Sequence, residues 1–218
     1  MIPHQLQQSS AQSSQSGFTI IESLVAILVV SVLLVAIAPV LVISTATRVQ
    51  AKRIELATGA AKAFVDAIKS KTISDPTITV TLTASTSRNV SSSTSDYLLS
   101  STLAPTASTG LYCFNKNSSL ATPNCTSDLF YIQAIRLAVS GSDPDSGQSY
   151  RLGVRVYRSD AEFGSLKKTS DNSGNQKTTA TFTGGLGDRK APLVEMTTEI
   201  VRGQPSYNAL CGRLGGCQ

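Results

Sequence analysis

Between Glu22 and Arg48 the chain runs for 25 residues without a charged side chain, and from Leu24 to Ile43 it is apolar except for Ser31 and Pro39. As an α-helix such a stretch rises roughly 37 Å, which exceeds the about 30 Å hydrocarbon core of a bilayer. A core helix of a water-soluble domain is shorter and apolar on one side only, whereas this stretch is apolar all round. A single membrane span close to the N-terminus is expected, because no other stretch of the 218 residues is long and apolar enough to cross. Whatever else the chain folds into must therefore hang from one apolar helix.

The flanks differ from the span and from each other. Residues 1–16 are polar, rich in Gln and Ser, free of Lys and Arg, and read as unstructured. After the span, Gln50, Ile54, Ala57, Ala61, Phe64 and Ile68 recur at steps of three and four. Arg48, Lys52, Arg53, Glu55, Lys62, Asp66 and Lys69 occupy the other faces. That pattern continues the helix as an amphipathic one until Pro76, which bars the α conformation at Asp75. A helix from Phe18 to Lys71 would be about 80 Å long.

Beyond Pro76 the period changes to two. Thr77–Thr83, Leu129–Val139, Ser149–Ser159, Thr178–Thr183 and Leu193–Val201 read as strands, with a Ser/Thr-rich loop at Ser85–Ser101. The chain has 31 Ser and 23 Thr but only 15% charged residues, so hydroxyls furnish much of its polar surface. The near-neutral mean hydropathy of +0.05 averages a greasy span with a hydroxyl-rich remainder. This composition excludes a coiled coil, a collagen, an acidic disordered chain, a dense disulfide scaffold and a polytopic membrane protein.

The most specific local feature is Gly17-Phe18-Thr19-Ile20-Ile21-Glu22, opening directly onto the apolar run. A carboxylate inside an apolar span costs roughly 2.5–3.5 kcal/mol, so Glu22 is expected to be functional. The chain here resembles the type IV pilins and the type II secretion pseudopilins. The resemblance rests on a Gly closing a short polar leader, then Phe, then Glu as the fifth residue after the Gly, then the apolar helix with Pro39. It implies cleavage after Gly17 by a prepilin peptidase, N-methylation of Phe18, and a kink at Pro39. It also implies assembly with other pilins or pseudopilins on an inner-membrane platform, the helices forming a filament core. Glu22 would then pair with the new amine of Phe18 on a neighbouring subunit, since a buried charge is tolerated once it is paired. The helix sequence and the later segment PLVEMTTEIVR also look like those of cyanobacterial pseudopilins linked to hormogonium polysaccharide secretion.

Two features oppose the resemblance. The leader lacks the usual Lys or Arg, and Arg48, Lys52 and Arg53 after the span would by charge bias alone keep the C-terminal part in the cytoplasm. The motif is more specific than a three-residue bias, so the head is expected to be extracytoplasmic. Before assembly the lipid bilayer is expected to surround the helix.

Four cysteines, Cys113, Cys125, Cys211 and Cys217, have neither CxxC spacing nor a histidine to complete a zinc site. The sole histidine, His4, lies in the leader. In a translocated domain an even count suggests two local disulfides, one of three possible connectivities. Absence of histidine from the rest of the chain excludes Ser-His-Asp and Cys-His catalysis, and neither cofactor nor metal is expected. Asp143-Pro144-Asp145-Ser146-Gly147 faintly resembles a calcium-loop opening, but lacks the distal Glu and reads as a polar turn. Arg151, Arg155 and Arg158, near Tyr150 and Tyr157, read as a solvated strand edge rather than a stripe for nucleic acid or polysaccharide. Gly184-Gly185-Leu186-Gly187 is not a P-loop and reads as a flexible connection.

The expected organisation is a leader at 1–17, a membrane or filament-core helix at 18–44, its amphipathic continuation at 45–71, and a head at 72–218. The expected fold is α+β and pilin-like, a long N-terminal helix packed on an antiparallel sheet. The expected function is that of a structural filament subunit, a minor pilin or pseudopilin, and not of an enzyme. The competing class is a membrane-anchored extracytoplasmic binding or adhesion protein that never polymerises. Glu22 discriminates between them, because a mere anchor gains nothing from it.

Overall fold

The computed structural model describes residues 17, 19–82, 104–121, 123, 125–139, 142–166, 188–203 and 207. The chain divides into two compact units, Met1–Ser44 and Thr45–Gln218. Helix α1 spans Ile20–Lys69, 50 residues without interruption.

In the first unit no helical side chain is buried. Ile20 is 89% exposed, and Val35, Val40 and Leu41 are all open, as are the residues around them on every side. The apolar window of this helix is 0% buried and has a mean hydropathy of 3.2, as a membrane span or a helix awaiting partners must. Ser31, the hydroxyl within it, donates to the Ile27 carbonyl at 2.7 Å and so needs no partner from outside the helix.

The second unit has a face of α1 packed on a sheet. Gln50, Ala57, Ala60, Ala61, Phe64, Val65 and Ile68 are buried, the three- and four-residue recurrence expected from the sequence. The three alanines keep the helix surface low where it meets the strands. Phe64 then fills the gap, its ring edge-on to Tyr112 with centroids 4.8 Å apart. Burying a side chain such as Phe64 or Ile68 contributes about 1.5–3 kcal/mol, so this face can hold the helix without help from propensity.

Among the described residues six strands form the sheet: β1 Thr79–Leu82, β2 Tyr112–Phe114, β3 Leu120–Ala121, β4 Phe130–Val139, β5 Tyr150–Arg158 and β6 Val194–Ile200. Their order is β3-β2-β4-β5-β6, antiparallel throughout, and β1 adds to β4 in parallel. The sheet is thus mixed rather than wholly antiparallel. β2 covers the first residues of β4 (Phe130, Tyr131, Ile132) and β1 the last (Arg136 to Val139), so β4 is flanked by different strands along one edge. Four of the five expected strands form. The fifth, at 178–183, lies outside the described residues, as does the loop at 85–101. β2 and β3 are additions, too short to show alternation.

Both faces of the sheet are covered. Tyr150, Leu152, Val154, Val156 and Ile200 meet the helix, while Leu111, Cys113, Tyr131 and Tyr157 form a second cluster with Cys125, Phe163 and Leu166. This overturns the reading of Arg151, Arg155 and Arg158 as a solvated edge. β5 is an inner strand between β4 and β6. Arg155 is 0% exposed and Arg158 is buried, each held by a carboxylate, and the Arg151 guanidinium donates to Thr197 Oγ1 at 3.0 Å.

Candidate functional site

The start of α1 is built by Thr19. Its hydroxyl accepts from the Glu22 amide at 3.3 Å, and its carbonyl accepts from the amides of Glu22 and Ser23, both at 3.1 Å. Thr19-Ile20-Ile21-Glu22 thus has the T-x-x-E order of a capping box, and an acid in the first turn is favoured by the helix dipole. Glu22 thus also stands as an acid in the first turn, a local reason for it that the sequence reading missed although the four-residue signature was in plain view. Gly17 is exposed just ahead of this cap. A Cβ there would meet nothing within 4 Å, so the fold itself does not ask for glycine. Phe18 lies outside the described residues. Pro39 sits within the unbroken helix, where its nitrogen has no hydrogen to give the Val35 carbonyl.

The other end of the helix is closed by two devices. The Lys71 amide donates to the Ile68 carbonyl and the Thr72 amide to the Ala67 carbonyl, at 3.1 and 2.9 Å, with Lys71 left-handed at φ 58°. This is a Schellman ending with lysine at the position glycine usually takes. Arg202, just past β6, then reaches the exposed carbonyls. Its guanidinium donates to Ile68 and Lys69 at 2.7 and 3.2 Å and to Asp75 Oδ1 at 2.9 Å, placing a cation on the negative end of the helix. Ser149 fixes the Arg202 backbone in turn, donating to its carbonyl and accepting from its amide, both at 2.9 Å. The hydrogen bond with Asp75 raises the pKa of Arg202 further. Burial, helped by the nearby Asp75 charge, pushes the Tyr150 phenol well above its ordinary value.

The turn at Asp143–Gly147 is ordered by protein groups. Asp143 Oδ1 accepts from the Asp145 amide at 3.0 Å, Gln148 Oε1 accepts from the Asp143 amide at 3.1 Å, and Gly147 closes the turn at φ 82°. Asp145 accepts from Arg136 Nη1 at 2.6 Å, so this carboxylate is already paired with a guanidinium. That hydrogen bond and charge hold the Asp145 carboxyl below its usual value. No group of three or more His, Cys, Asp and Glu suited to a metal occurs among the described residues.

Behind the sheet, Gln133, Arg155 and Glu195 lie in one cross-strand row. Arg155 Nε donates to Glu195 Oε2 at 2.8 Å and its Nη1 to Gln133 Oε1 at 3.4 Å. Burial raises the pKa of Glu195, and Arg155 opposes the shift. Burial also pushes the Tyr157 phenol up to about 12. The row is an ion pair in the interior and offers nothing to a ligand outside. Cys113 in β2 is bonded to Cys125, a sequence separation of 12, across the β2–β3 hairpin. Cys211 and Cys217 lie outside the described residues.

A family model of the prokaryotic N-terminal methylation motif matches residues 12–38, which contain Gly17, Phe18, Thr19, Glu22 and most of the apolar run. In comparisons with curated proteins and with solved structures, nothing matches.

Proposed function

We propose that the chain is a pilin-type subunit processed by prepilin peptidase, a reading supported by the prokaryotic N-terminal methylation motif matched at residues 12–38. The peptidase cuts between Gly17 and Phe18. Among the described residues nothing would meet a side chain at position 17, so packing there gives no other reason for glycine, which supports this. The freed amine of Phe18 is methylated and pairs with Glu22 of an adjacent subunit. The helix is anchored in the inner membrane with the head extracytoplasmic, and passes from there into a filament, with Pro39 as the point where it gives.

The observation that carries this reading is the complete exposure of the apolar helix. A surface apolar on all sides must be covered by lipid or by other helices, and Glu22 needs a cationic partner within that cover. Thr19 and Glu22 also fix where the helix begins, directly after the proposed cut. The subunit is a minor pilin or pseudopilin in a filament driving secretion or motility. The likeness of its helix to pseudopilins of polysaccharide secretion supports polysaccharide as the cargo.

N-terminal mass spectrometry of the chain from cells with and without the peptidase tests the reading. Residues 1–17 should be lost and one methyl gained only where the peptidase is present. An uncut N-terminus in its presence would refute it.

A further inference from the structure

Where the helix ends, the connector to β1 and the Asp143–Gly147 turn enclose a cleft of about 380 Å³, walled by Pro76 and Pro144 and bordered by Lys71, Asp75, Arg136 and Asp145. Its charges are unevenly committed. Asp75 is held by Arg202. Arg136, with a side chain only 6% exposed, gives Nε to Thr79 Oγ1 at 3.0 Å and Nη2 to the Thr77 carbonyl at 3.4 Å. Its remaining pairing is to Asp145, whose side chain is 79% exposed. A buried guanidinium requires an anion, yet the one it has sits in water and can be exchanged. Lys71 makes no ion pair with a described residue, and it occupies a left-handed position that glycine would fill without strain. What lysine adds over glycine there is an ammonium at the cleft wall.

We propose that this cleft docks an acidic peptide segment of a partner protein, which inserts a carboxylate between Lys71 and Arg136 and displaces Asp145. Asp145 demonstrates within the chain that a peptide-borne carboxylate fits the Arg136 guanidinium, at 2.6 Å. Ser74 and Thr77 are exposed at the rim and can bond the incoming backbone. The two prolines hold the walls in place, so little ordering is needed on binding. A sugar acid would also satisfy the cations, but among the described residues no aromatic ring lines the cleft to stack on a sugar face. The site lies within the second unit, so it stands or falls independently of cleavage at Gly17.

The test is a titration of the full chain in detergent micelles, observing the Ile73 methyl group by NMR. The probes are Ac-Gly-Asp-Gly-amide, Ac-Gly-Asn-Gly-amide and glucuronate. The Asp peptide should give a saturable shift, and the Asn peptide should bind about tenfold more weakly, as loss of a charge-assisted hydrogen bond implies. Lys71→Gly relieves backbone strain, so it should fold at least as well as the parent and still bind the Asp peptide about tenfold more weakly. Asp145→Asn should bind it more tightly. No saturable shift, an equal response to both peptides, undiminished binding by Lys71→Gly, or tighter binding of glucuronate would each overturn the proposal.

Discussion

Residues 20–43 and residues 45–69 belong to one helix and obey different rules. The first stretch exposes apolar side chains in every direction, and the second buries a single face built from Ala57, Ala60, Ala61, Phe64, Val65 and Ile68. The second is accounted for by its own chain, through the sheet beneath it and the Schellman turn and Arg202 at its end. Among the described residues nothing covers the first, and its stability depends on what surrounds it. Helical structure in the two halves thus has different causes, and a substitution should report a different property in each.

Glu22→Val should produce the largest effect, and only in the first half. Under the proposed pairing, removing the carboxylate would leave a neighbouring subunit's amine unpaired in an apolar environment, a loss of about 3–5 kcal/mol that should abolish co-purification with the proposed filament partners while leaving membrane insertion and the head's unfolding transition unchanged. Glu22→Gln sharpens the point, because glutamine retains the capping-box pattern without the charge. If that variant assembles normally, helix capping and not pairing explains the residue.

In the second half, Glu195→Ala strands Arg155 in the interior and should destabilise the head by about 3–5 kcal/mol in denaturant unfolding, with no effect on processing at Gly17. Cys113→Ala with Cys125→Ala should cost about 2–3 kcal/mol in the same measurement, the range for closing a loop of this size. Lys71→Gly should be the exception and stabilise the head by about 0.5–1 kcal/mol, seen as a raised unfolding midpoint.

The smallest effect concerns acid. Because Arg136 depresses the Asp145 pKa in the folded chain, the pair's contribution is present above the unfolded value near 3.8 and is lost as pH falls through the lower folded value. In a pH titration by NMR the Asp145 carboxyl signal should have its midpoint below that value, and Arg136→Lys should return it towards normal.

The helix and its two regimes were legible in the sequence because both announce themselves by periodicity, or by the lack of it. Strands β1, β4, β5 and β6 were legible for the same reason. β2 and β3 were not, since three and two residues carry no alternation, and what fixes them is a partner strand and the Cys113–Cys125 bond. The parallel docking of β1 on β4 depends on a pairing remote in sequence. Arg155 misled for a physical reason. Alternation distinguishes two faces but not which of them water reaches, and β5 has protein on both. At the N-terminus Glu22 was singled out for its charge, while its place in the Thr19 cap was overlooked. Arg202 carried no local signal, because its importance comes from helix carbonyls more than a hundred residues earlier.

That last contact has a mechanical meaning. Apolar packing is less directional than a hydrogen bond and so fixes the position of a helix along a sheet less sharply. Arg202 removes that freedom by gripping the two terminal carbonyls from the end of β6, with Ser149 holding its backbone. A pull along the helix must therefore shear the packed face and break the grip together, in parallel, instead of peeling one contact at a time. Under the proposed assembly, such a joint would make the head follow its helix under tension.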